Sequence, residues 1–307
     1  MKILVLKTGG TIGSAYTKTE ITKGNNIEDI LYNDSFLGIT FEPVNLMNVF
    51  SENIGFLQWN ILINFIKKLD LTKYGGIIIT HGSDTLSYTS ALLGNLFSGI
   101  KTTLVLTASD KPLENPSTNG YINFSASVRL VQEQVKGVFT VWKNENENAK
   151  AYYGTDLCEA DPFSDSFTSF RKMPFGKIIG NQLTINEKPV ILNKSPQVIP
   201  TFKNQVLLIR CYPQIDFSGY RIENYSAIVV YLYHSCTAPT DSESSICEFL
   251  GLCKKLDIPV YLASFKDEDK YYETTNKMLK SGGIPLFNCS PENAYSQALI
   301  KVNSNLK

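Results

Sequence analysis

Lys2-Ile-Leu-Val-Leu-Lys-Thr8-Gly9-Gly10-Thr11-Ile12-Gly13 and Gly76-Ile-Ile-Ile-Thr80-His81-Gly82-Ser83-Asp84-Thr85 decide how this chain folds. Each is a short apolar run opening into Gly, Thr, Ser and Asp. A run of that length bounded by turn residues is read as a buried strand. In a parallel α/β sheet, ligands sit in crevices outside the carboxyl ends of the strands. Two such loops facing one crevice would bring Thr11, Ser83 and Asp84 together. Hydroxyls beside one carboxylate suit acyl transfer.

Further strands are expected at 103–107 and 137–142, and helices at 56–69, 86–97 and 121–134, where apolar positions recur at helical spacing. Strands alternating with helices indicate βαβ units and a doubly wound, mostly parallel α/β sheet. The texture changes near 186–204, where Asn-Glu-Lys-Pro and Asn-Lys-Ser-Pro read as a linker. Strands at 205–210, 226–233 and 258–263 and helices at 241–256 and 291–300 then make a second, smaller α/β domain. The expected division is a larger domain at 1–190, a linker at 191–204 and a smaller domain at 205–307.

Twenty-nine basic residues balance twenty-nine acidic ones, which leaves no electrostatic footprint for nucleic acid or an anionic membrane. No segment has the length of a membrane span or of a signal-peptide core, so a cytoplasmic protein is expected. The six cysteines have no C-x-x-C pair, and only two histidines are present. Reduced, packed thiols are expected, with no metal and no organic cofactor.

Thr8-Gly-Gly-Thr-Ile12 and His81-Gly-Ser-Asp-Thr85 resemble the two signature motifs of the bacterial-type L-asparaginases, Thr-Gly-Gly-Thr-Ile and His-Gly-Thr-Asp-Thr. Ser51-Glu52-Asn53, Ala108-Ser-Asp-Lys-Pro112, Cys211-Tyr212-Pro213 and Tyr233-His-Ser-Cys-Thr-Ala-Pro239 follow in the family's order. The resemblance implies a two-domain amidohydrolase acting on a small amino-acid-like substrate, with Thr11 as the nucleophile. Ser83 stands where the family has a second catalytic threonine. Asp84 would hold the substrate's α-amino group and Ser51 its α-carboxylate, with the loop around Gly10 supplying oxyanion donors. Tyr16 is the nearest match to the family's flexible-loop tyrosine. A homodimer or homotetramer is implied, the smaller domain completing a neighbour's site.

Three departures stand out. Ser83 lacks the threonine methyl. Glu52 places a carboxylate where Gln or Ser is usual, favouring an ammonium over a carboxylate. Asp156, in Gly154-Thr-Asp-Leu157, aligns with the family's catalytic lysine; Asp84 and Asp156 would then form a carboxylate pair in which one pKa rises. Lys143 and Lys150 are alternative sources of an amine. The departures leave two other readings open: changed acyl-transfer or elimination chemistry in a biosynthetic pathway, or a non-catalytic amino-acid-binding homologue. The archaeal tRNA-dependent amidotransferase subunit is a further relative, set apart by an extra N-terminal domain. Plainer roles are also available to several residues. Asp84 would cap the helix at 86–97, His81 would be a packed, hydrogen-bonded core residue, and Cys236 a buried thiol.

Overall fold

The computed structural model describes residues 1–24, 27–32, 36–186, 196–241 and 245–304. They form two compact units, Met1–Gln197 and Val198–Lys307. Of the linker expected at 191–204, residues 191–195 lie outside the described residues.

The first unit contains β1 (Lys2–Gly9), β2 (Ser14–Tyr16), β3 (Ile21–Lys23), β4 (Thr40–Val49), β5 (Gly76–Thr80), β6 (Thr103–Thr107), β7 (Gly137–Trp142), β8 (Ala149–Tyr153), β9 (Gly176–Ile179) and β10 (Gln182–Ile185). Its helices are α1 (Phe56–Lys67), α2 (Leu86–Leu96) and α3 (Gly120–Gln132). Eight strands make one sheet in the order β10-β9-β8-β7-β6-β5-β1-β4. The stretch from β7 to β4 is parallel, and β8, β9 and β10 extend it antiparallel. β2 and β3 form a separate hairpin.

Residues 3–6, 77–79 and 104–106 are at most 1% exposed, as strands covered on both faces require. Successive side chains alternate between the faces. Phe124, Val128 and Val131 of α3 cluster with Ile3, Val5, Ile78, Val105 and Phe139 on one face. On β7, Thr140 points the other way, and its hydroxyl bonds Ser90 of α2 at 2.6 Å. Trp59 of α1 donates its indole N–H to Thr89 of α2 at 3.0 Å, placing α1 on that same side. The sheet is therefore doubly wound.

β4 was not anticipated from the sequence. Its burial is mixed and it contains Pro43. It pairs only with β1, at the sheet edge, where a proline's missing N–H costs no ladder bond. The consequence is topological. The chain runs from β1 to β4 on one side, then returns to β5 on the other. The strand order reverses beside β1, and the crevice between the ends of β1 and β5 is the switch point at which such sheets bind ligands.

The second unit is a four-stranded parallel sheet in the order β11 (Val206–Arg210), β12 (Ala227–Tyr231), β13 (Val260–Phe265), β14 (Ile284–Phe287). Its helices are α4 (Ile246–Lys255), α5 (Glu273–Lys280) and α6 (Pro291–Asn303). The helix expected at 241–256 begins at Ile246, because Ser245 caps it through a bond from the Cys247 N–H. Short α5 and β14 escape the periodicity reading.

Candidate active site

Three loops meet at the switch point. β1 ends in Gly9 and Gly10, both at positive φ (101° and 77°), a region glycine enters freely. Thr11 then opens a single 3₁₀ turn, Thr11–Gly13, and is half-buried. The loop after β5 passes so close that a β-carbon on Gly10 would lie 2.3 Å from the Gly82 α-carbon. A β-carbon on Gly82 would lie 2.4 Å from Ser51 Oγ. Ser51 is buried and opens the turn Ser51–Asn53 after β4. Glycine at 10 and 82 is thus a condition for the three loops to touch.

Hydrogen bonds lock the contact. Gly10 N–H donates to the Val49 carbonyl at 2.9 Å and His81 N–H to the Thr107 carbonyl at 2.8 Å. Ser51 Oγ donates to Asp84 Oδ2 at 3.1 Å, and Thr85 Oγ1 donates to the Ser51 carbonyl at 2.9 Å. The helix-capping role for Asp84 does not occur. Thr85 is the N-cap of α2, without a side-chain cap bond, and the exposed Asp84 carboxylate turns to Ser51. The Gly10 amide is spent on Val49, so Gly10 shapes the turn and is not itself an oxyanion donor.

Ser83 and Asp84 line a cleft of about 390 Å³ with Asp110, Trp142, Glu159 and Asp165 among its other walls; Thr11 and Ser51 lie on the neighbouring loops and are not among its lining residues. Asp110, Trp142, Glu159 and Asp165 were missed by sequence reasoning. Asp110 had a signal, since Ala108-Ser-Asp repeats the strand-to-Ser/Asp pattern of the two motifs. The others reach the cleft from β7 and the loop after β8, with no local periodicity to reveal them.

The remaining expected site residues stand apart. Glu52 is exposed beside Ser51. Tyr16 lies on the β2–β3 hairpin, 44% exposed. Its N–H donates to Glu114 at 3.0 Å, and its hydroxyl accepts from Asn115 at 3.1 Å. Asp156 is 2% exposed, is not among the residues lining the cleft, and accepts from Arg171 Nε at 3.0 Å. Its carboxyl is pushed up by burial and pulled back by the Arg171 guanidinium. The expected rise in an Asp84–Asp156 pair thus has another cause, and an arginine supplies the counter-charge. Of the alternative amines, Lys150 pairs with Glu147 and Lys143 donates to the Asn144 carbonyl at 3.4 Å.

His81 is buried and donates Nδ1–H to the Gly82 carbonyl at 2.7 Å; its Nε2 has no partner. Desolvation lowers its pKa to about 4, so it is neutral at pH 7. The folded pKa lies below the unfolded value of about 6.5. Its contribution is therefore complete above pH 6.5 and is lost as pH falls towards 4, because only the unfolded chain takes up the proton. We expect about 3 kcal/mol of unfolding free energy to disappear over that window. Urea titrations of wild type and His81→Gln at pH 7 and pH 4 check this: the variant should show a smaller pH dependence by that amount.

In the second unit, Cys236 is buried at φ 61°. Its Sγ accepts from the Lys266 N–H at 3.1 Å, and its carbonyl accepts from Thr275 Oγ1 at 2.9 Å. This is a packed thiol.

Residues 2–191 match the family model described as "Asparaginase, N-terminal". The L-asparaginase of Thermococcus kodakarensis is 28% identical over 220 residues, covering 70% of this chain and 65% of that protein. One component of the glutamyl-tRNA(Gln) amidotransferase of Methanosphaera stadtmanae is 25% identical over 317 residues, covering 96% of this chain and 70% of the relative. Among solved structures, the T. kodakarensis L-asparaginase superposes with a TM-score of 0.83 at 24% identity, covering 99% of this chain and 94% of that one. A probable cytoplasmic L-asparaginase from Campylobacter jejuni gives 0.79 at 21% identity, with coverages of 99% and 95%. At these identities the superpositions speak for the fold. No helix among the described residues is long and apolar enough to cross a membrane.

Proposed function

Because this chain belongs to the asparaginase family, we propose that it hydrolyses the side-chain amide of asparagine or a related small amino-acid derivative, with Thr11 as the nucleophile. One observation bears most of the weight. Gly82 is in close approach to both Gly10 and Ser51 at the switch point, so the turn that carries Thr11, next to Gly10, adjoins the loop that carries Ser83 and Asp84.

The chemistry follows from those groups. Thr11 Oγ attacks the amide carbonyl carbon, the C–N bond breaks, and the hydroxyl proton leaves with ammonia. Water then opens the threonyl ester, giving the carboxylic acid and restoring the hydroxyl. Ser83 is the hydroxyl that relays the proton. Asp84, oriented by Ser51, holds the substrate's ammonium group. Asp156 belongs to the scaffold with Arg171.

Ammonia release from L-asparagine and L-glutamine tests this reading; glutamine is included because one relative is part of a glutamyl-tRNA(Gln) amidotransferase. With hydroxylamine present, an acyl-enzyme partitions to the hydroxamate. Ammonia together with hydroxamate is expected. Ammonia without hydroxamate would point to direct attack by water, and no ammonia from these two or from the related amides L-asparaginamide, succinamate and succinamide would overturn the hydrolytic reading.

A further inference from the structure

The nine residues lining the cleft include five carboxylates, Asp84, Asp110, Glu159, Asp161 and Asp165, and among the described residues no basic side chain lines it. Neutral donors hold three of them, Asp84, Asp110 and Asp161, and the negative charge of the cleft rests on these three. Asp84 accepts from Ser51 Oγ. Glu159 accepts from the Tyr88 hydroxyl at 2.7 Å. Asp110 accepts from the Asn119 N–H at 3.0 Å. Asp161 accepts from the N–H groups of Phe163 and Ser164 and from Ser164 Oγ, which hold it below the usual carboxylate range. Neutral donors orient carboxylates without cancelling their charge. The field in the cleft is therefore negative, and it draws in cations and repels anions.

A second, independent feature points to an organic ligand. Trp142 lines the same cleft, is 1% exposed, and its indole N–H has no hydrogen-bond partner. A buried donor left unpaired is costly, and an amide carbonyl of a ligand in the cleft would supply its acceptor. Ala160 and Pro162 add apolar wall.

We infer that the cleft selects amides that carry a positive charge and no carboxylate: amides of amino acids and similar cationic amides, in preference to the zwitterionic amino acid. This rests on the amide-hydrolase reading above and names its substrate class. A free α-carboxylate, for which the negative cleft is unfavourable, is replaced by a neutral group while the ammonium is kept.

Four probes separate the two charges. L-asparagine has both, L-asparaginamide has the ammonium alone, succinamate the carboxylate alone, and succinamide neither. The kcat/KM for ammonia release should be about tenfold higher for L-asparaginamide than for L-asparagine, and similarly higher for succinamide than for succinamate. Added salt should shrink both ratios. Glu159→Gln/Asp165→Asn keeps shape and removes two charges, and asparagine tolerates the left-handed φ at 165. With folding checked by thermal melting, it should bring the first ratio below about threefold. Ratios at or below one, or ratios unmoved by the double variant, overturn the inference while the hydrolase reading stands. Should wild type release ammonia from none of the four, the hydrolase reading fails by itself. Calorimetry then decides the charge inference: tighter binding of L-asparaginamide than of L-asparagine sustains it, and equal or no binding overturns it.

Discussion

Thr11→Val should lose at least about a thousandfold in kcat for ammonia release, with KM little changed. Valine keeps the β-branched shape in the 3₁₀ turn at Thr11–Gly13 and removes only the hydroxyl, so packing and loop position survive while the nucleophile does not. The loss should fall on the chemical step, because the proposed anchor for the substrate's ammonium is Asp84, on another loop. Thr11→Ser, which restores a hydroxyl on a less constrained rotor, should recover part of the activity. Steady-state kinetics of the two variants, with thermal melting as the folding control, give the comparison. Equal activity in wild type and Thr11→Val would remove Thr11 from the chemistry.

The second large effect is on the scaffold. Gly10→Ala should cost roughly 3–5 kcal/mol and lower the melting temperature by about 10 °C. The reason is geometric. The new β-carbon would lie 2.3 Å from the Gly82 α-carbon, 2.4 Å from its nitrogen and 2.6 Å from the His81 carbonyl carbon. All three are backbone atoms, so no side chain can swing aside. The φ of 77° is also one that alanine resists. The loops on either side are fixed by bonds to Val49 and Thr107, so relief requires their separation. Activity should fall with stability, because the contact that opens is the one setting Thr11 against the Ser83–Asp84 loop. A Gly10→Ala protein melting within a degree or two of wild type would contradict the close approach.

What the sequence made legible follows from local chemistry. The runs at 3–6, 77–79 and 104–106 are apolar throughout because both faces of the central sheet are covered, and such strands announce themselves. The glycine-rich turns after β1 and β5 were equally plain, since few residues other than glycine tolerate that backbone or that proximity. β4 was hidden by its half-exposed face and by Pro43, which only an edge position permits. The antiparallel strands β8, β9 and β10 are only four or five residues long, too short to show a clear period, and β8 meets β9 across a long intervening loop.

The limits at the site have the same origin. Ser51 reaches Asp84 only because β4 lies beside β1, an arrangement no spacing encodes. Asp156 could be noted as a carboxylate in place of an amine, but its Arg171 partner is supplied by a turn fifteen residues later. The five carboxylates of the cleft come from loops after different strands. Asp84 stands out in its motif and Asp110 carries a weaker signal, but Glu159, Asp161 and Asp165 are unremarkable in sequence, and only the convergence of all five around Trp142 gives the cleft its charge.

The central claim is that Thr11 becomes acylated. The most direct measurement is peptide mass mapping of enzyme quenched in acid during the first turnover of L-asparaginamide or L-asparagine. The account predicts an added mass equal to the substrate less ammonia on the peptide containing Thr11, absent from Thr11→Val. Ammonia released in the first turnover with the same mass on Ser83 or any other residue, and an unmodified Thr11 peptide, would contradict it.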